Sequence, residues 1–119
     1  MPAQTPADLD RLFEEYLNKG DVDAIMLLYE PNAAMPEQSG QVAQGLDAVR
    51  KSISTFAAMK PEIDLKVEKV VEAGDLALVY SKWTMKTGGQ EMTGKGREVA
   101  RRQPDGTWRF VIDDPFGGM

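Results

Sequence analysis

Apolar residues return along the first part of the chain at intervals of three and four. Leu9, Leu12, Phe13, Tyr16 and Leu17 fall at i, i+3, i+4, i+7 and i+8, while Arg11, Glu14, Glu15 and Asn18 cover the other side. That spacing predicts an amphipathic helix. Thr5 can cap it, Pro6 suits the first helical position, Asp8 sits where an acid favours the helix dipole, and Gly20 stops it. A second helix is expected from Asp21 through Ile25, Met26, Leu27, Leu28 and Tyr29, ended by Pro31. Because it is apolar nearly all round, burial is expected. Residues 32–44, with Pro36 and Gly40, predict two short extended pieces around a turn. A third helix follows on the stripe Leu46, Val49, Ile53 and Phe56, before Lys60-Pro61.

Beyond Pro61 the period changes to two. Ile63, Leu65 and Val67 alternate with Asp64, Lys66 and Glu68, Gly74-Asp75 makes a turn, and residues 76–86 are rich in Val, Tyr, Trp and Thr. Two further strands, residues 92–103 and 107–113, flank the turn Pro104-Asp105-Gly106. Three helices and an antiparallel meander predict a single α+β domain over residues 1–119. Residues 117–119 and the first few residues read as loose ends.

Composition narrows the chemistry. The net charge of −5 argues against nucleic acid as a partner, and no apolar run is long enough to span a membrane. Met1-Pro2-Ala3-Gln4-Thr5 has neither the basic start nor the apolar stretch of a signal peptide, so a cytoplasmic location is expected. The chain has no cysteine and no histidine. Thiol nucleophiles, disulfides, histidine-based triads and imidazole metal sites are thereby excluded within this sequence. No phosphate-binding glycine loop is present either, so no cofactor and no metal is expected. Acid–base chemistry must run through Asp, Glu, Tyr or Lys.

The segments LNKGDVDAIMLLYEPNAAM, GLDAVRKSI, GDLALVYSKWTMKTG and PDGTWRFVIDDPFG resemble, in order and spacing, the nuclear transport factor 2-like superfamily. The nearest resemblance is to its stand-alone bacterial SnoaL-like and ketosteroid-isomerase-like members, over about residues 6–117. It implies a cone, with a strongly curved antiparallel sheet wrapped around three helices, an apolar pocket open at one end, and homodimerisation through the outer face of the sheet. It also places Glu37 at the position of the isomerase's carboxylate base. The same comparison puts Phe13 at the oxyanion tyrosine and Val99 at its partner acid, so both of those donors are expected to be missing. The Asp-Arg-Asp pattern of the superfamily's epoxide hydrolases fails as well, since Val99 stands two residues after Arg97.

Strand alternation supplies the other candidates. Asp114 shares parity with Trp108, Phe110 and Ile112, which predicts Asp114 in the pocket and Asp113 in solvent. Parity with Val99 likewise turns Arg97 inward, where it could pair with Asp114 or hold a substrate anion. Tyr16 could supply a displaced hydroxyl donor, Met35 an apolar wall beside Glu37, and Trp83, Ile112 and Phe116 the lining. Tyr80 and Trp83 have opposite parity, so a regular strand sends only one inward. Two functions stay open: a cofactor-independent isomerase, cyclase or lyase acting on a small hydrophobic carbonyl or phenolic compound, with Glu37 and Asp114 as catalytic acids and Arg97 as anchor, or a non-catalytic ligand-binding or dimerisation module.

Overall fold

The first helix, α1 (Pro6–Lys19), starts on a reciprocal cap. The Asp8 N–H donates to Thr5 Oγ1 and the Thr5 N–H donates to Asp8 Oδ2, both at 3.2 Å. Gly20 ends it at φ 74°, a left-handed conformation in which a side chain would be strained. These contacts come from a computed structural model that describes residues 2–118. The second helix departs from expectation: α2 is only Val22–Met26, Leu27 is 70% exposed, and Pro31 lies inside strand β1 (Tyr29–Pro36). The reason is tertiary. The Phe110 N–H donates to the Leu28 carbonyl at 2.7 Å and draws the chain into sheet pairing where local periodicity favours helix.

Strand β2 (Val42–Gln44) pairs with β1, and helix α3 (Leu46–Ala58) follows as predicted. The meander comprises β3 (Glu62–Ala73), β4 (Leu76–Thr87), β5 (Gln90–Arg102) and β6 (Trp108–Asp114). Strand order is β2-β1-β6-β5-β4-β3. The sheet is mixed, because β1 runs parallel to β6 while every other neighbouring pair is antiparallel. It is also open, with β3 at one edge. Two polar residues of α1 cover the start of that edge. Asn18 makes both bonds of a peptide group to Ile63, accepting from its N–H at 2.7 Å and donating to its carbonyl at 3.0 Å, and Glu14 accepts from the Leu65 N–H at 2.6 Å.

Helices and inner sheet face enclose a core led by Tyr29, Phe110, Leu9, Leu12, Ile25 and Ile53. The outer face carries a cross-strand row of register partners, Val71, Leu78, Val99 and Ile112, of which Val71 and Ile112 are exposed. Beside it Arg97 lies 4.3 Å from the Tyr80 ring centre.

Strand β6 holds the irregularity that matters most for the interior. Val99 pairs with Ile112 but Ala100 pairs with Phe110, so Val111 is an extra residue. Trp108 and Phe110 face inward before the bulge, and after it the inward position is Asp113, not Asp114. At the chain end, Gly117 and Gly118 are not loose: the Gly118 N–H donates to the Lys95 carbonyl at 2.8 Å. The expectations for Met1 and Met119 fall outside the described residues. Among the described residues no helix is long and apolar enough to cross a membrane.

Candidate functional site

Strand β5 prepares the site with residues that have little or no side chain. On its inner face Gly94, Gly96 and Ala100 alternate around Glu98. A Cβ on Gly94 would stand 2.5 Å from the Trp83 ring, and one on Gly96 would stand 2.6 Å from both Glu98 Oε2 and Ser81 Oγ. The missing side chains are what let an indole and a carboxyl lie flat against the strand.

An apolar cavity of about 70 Å³ opens above them. Phe13, Met35, Ile53, Phe56, Trp83 and Phe116 form much of its wall, and three carboxyl groups stand among them: Asp10 from α1, Glu98 from β5 and Asp113 from β6. All three are buried. Ser81 donates to Glu98 Oε2 at 2.7 Å, and the Tyr29 hydroxyl donates to Asp113 Oδ2 at 2.5 Å. Among the described residues no donor reaches Asp10 Oδ2 or Glu98 Oε1. A proton held by Glu98 and donated to Asp10 satisfies both.

Charge repulsion in a dry wall forces that sharing. Burial, then the charges of Asp10 and Asp113, push the Glu98 carboxyl far above the usual range, so Glu98 is protonated at neutral pH. Burial also raises Asp10. Asp113 is pushed up to about 7, by burial first, against the lowering effect of the Tyr29 hydrogen bond. Tyr29 itself is raised well above its ordinary value by burial and by the carboxylates around it, so it stays a donor. The cavity therefore offers a carboxylic acid and a carboxylate that changes state near neutrality.

Only some of the sequence candidates meet here. Met35, Trp83 and Phe116 line the cavity, and the Trp83 indole N–H donates to the Pro115 carbonyl at 2.7 Å. Asp114 faces away, accepting from the Phe116 N–H at 3.3 Å, because the Val111 bulge reverses the parity on which its inward placement depended. Ile112 is 40% exposed for the same reason. Arg97 lies outside against Tyr80 and is the register partner of Asp114, while its neighbour Glu98 points inward. Val99, matched by resemblance to the partner acid, belongs to the outer row, and Glu98 one residue before it is the acid of β5 that faces inward. Tyr16 lines a separate cavity near Leu27 and Trp108. Glu37 borders a neighbouring cavity and accepts a short hydrogen bond from Ser52.

Sequence reasoning missed Asp10, Tyr29, Ser81, Glu98 and Asp113. Two signals were available. Asp10 interrupts the stripe it shares with Phe13 and Leu17 at i, i+3 and i+7, and Glu98 lies in the small-residue alternation Gly94, Gly96, Ala100.

Similarity to known proteins agrees with this architecture. Among solved structures, an NTF-2 like protein of unknown function from Shewanella oneidensis superposes with a TM-score of 0.78 at 20% identity, over 90% of this chain and 92% of its own. A ketosteroid isomerase-like protein from Erwinia carotovora atroseptica reaches 0.73 at 16% identity, over 90% and 88%. An NTF2-like family protein from Streptomyces avermitilis, whose name proposes a dehydratase, reaches 0.73 at 20% identity, over 89% and 88%. At these identities the likeness is one of fold, the open cone. A search of curated proteins finds no match. The SnoaL-like domain matches residues 9–114, nearly the whole chain, and the chain belongs to that family.

Proposed function

We propose that the protein binds a small, largely apolar carbonyl compound in the cone and moves a proton on it, as an isomerase or dehydratase does. The observation that carries this reading is the trio Asp10, Glu98 and Asp113, buried together in an apolar wall with Tyr29 and Ser81 as donors. Ionised Asp113 takes a proton from the carbon next to the carbonyl. The Glu98 carboxylic acid turns its proton from Asp10 to the carbonyl oxygen and holds the developing enolate. Asp113 then returns a proton to carbon: at a conjugated position this is isomerisation, and at the same position, once the proton on Asp113 has been swapped with solvent, it is exchange. Asp10 is a positioning residue that keeps Glu98 charged with its proton. Ionised Asp113 and protonated Glu98 coexist only between their two pKa values, so the rate is expected to rise through about pH 7 and fall in alkali.

The test is deuterium exchange into cyclohexanone in heavy water, followed by NMR. Wild-type protein is expected to accelerate exchange, and Asp113→Asn to lose the acceleration by a factor on the order of 10² or more. Asp114→Asn should stay within about twofold. Equal losses in the two variants, or no acceleration by the wild type, would sink the assignment. For assembly, the outer row Val71, Leu78, Val99 and Ile112 supports a homodimer formed sheet to sheet.

A further inference from the structure

The cavity that holds the acids is small, about 70 Å³, whereas sites that enclose drug-sized ligands run to roughly 300–1,000 Å³. A second cavity of about 160 Å³ adjoins it. Met35, Phe56, Pro115 and Phe116 belong to the walls of both, so the two spaces share a wall. The outer space lies across this shared wall, where a molecule that reaches Glu98 and is larger than the inner space has room to continue.

The outer space differs in kind. Its polar groups come from the turn after β1 and from α3: Glu37, Gln38, Ser52 and Thr55. Glu37 is half-buried and oriented by the Ser52 hydroxyl. Among the described residues, neither cavity is lined by a lysine or an arginine. An anionic group would therefore meet Glu37 outside or the acid trio inside, with no cation to offset either. A hydroxyl or an ammonium would find an acceptor in both.

We infer that the two cavities form one bipartite site for an elongated molecule whose outer end carries a hydrogen-bond donor, and that Glu37 selects this end and rejects carboxylates. The inference rests on the proposed carbonyl chemistry only for which end enters first. Glu37, matched by resemblance to a catalytic base, is here a specificity residue for the far end of the ligand. Hydroxyl and ammonium share the donor chemistry, and the experiment separates them.

The probes are three cyclohexanones bearing, opposite the ketone, a hydroxymethyl, an aminomethyl or a carboxylate group. Binding is read by ligand-observed NMR titration at neutral pH, which needs no turnover. The carboxylate is expected to bind weaker than the other two by on the order of tenfold or more, because like charges face each other in a half-dry pocket. Tighter binding of the aminomethyl probe than the hydroxymethyl one identifies an ammonium as the natural end, and the reverse identifies a hydroxyl. Glu37→Gln should close the gap between amine and carboxylate while leaving the alcohol within about threefold. Ser52→Ala keeps the carboxylate and should keep the gap, which guards against a variant that merely unfolds. A carboxylate that binds as well as the alcohol, a gap indifferent to Glu37→Gln, or no binding of any probe would overturn the inference. Deuterium exchange that fails while this selectivity holds would count against the carbonyl chemistry alone.

Discussion

The inner and outer faces of strands β5 and β6 are one residue apart in sequence and opposite in chemistry. Inside stand Glu98 and Asp113, desolvated, crowded and raised in pKa. Outside stand Arg97 and Asp114, half-buried register partners, with Arg97 lying over an aromatic ring. The residue types are ordinary on both faces. What differs is access to water and the charge of the neighbour: the inner acids crowd one another in a dry wall, whereas Asp114 stands opposite a cation at the surface.

Filling the inner face should break the contrast most strongly. Gly96→Ala places a methyl on Glu98 and Ser81, and is expected to cost about 3 kcal/mol in chemical denaturation. Lys95→Ala, on the exposed side of the same strand, should change stability by less than about 0.5 kcal/mol. Equal effects would mean that Glu98 has room to move.

Next comes pH. The folded state holds protons on Asp113 and Glu98 that the unfolded chain has released above its ordinary carboxyl range. Stability should therefore be highest near pH 4 and fall as pH rises toward 7, where Asp113 ionises. Glu98→Gln copies the protonated side chain and removes its share of the slope. Between about pH 5.5 and pH 7 the variant should gain on the wild type by about 2 kcal/mol. A constant difference across that range would show that Glu98 is ionised in the fold.

The smallest effect belongs to the outer face. Val99→Asp puts a charge in the middle of the apolar row and should weaken the proposed dimer about tenfold, or 1.4 kcal/mol, by sedimentation. Stability of the single chain should barely move. A monomeric wild type would remove the dimer from the proposal.

Much of the fold was legible because its signals are local. The Thr5 and Asp8 cap, the stripe of α3 and the turn at Pro104-Asp105-Gly106 each act over a few residues. The length of α2 was not, since the bond that ends it reaches from Leu28 to Phe110. The site was less legible still. Trp83, Met35 and Phe116 follow from strand parity or apolar character, whereas the choice between Asp113 and Asp114 turns on one extra residue that alternation does not reveal. Asp10 was hidden by habit, because an acid on a helix is ordinarily read as solvated.

Val111 makes the site depend on counting. Were the bulge flattened so that Val111 entered the ladder as an ordinary strand residue, alternation would turn Asp113 outward and carry Asp114 into the cavity wall. Either register presents a carboxyl. Two acids in tandem thus give the wall a spare: a slip of one residue changes which aspartate faces it, and an acid remains.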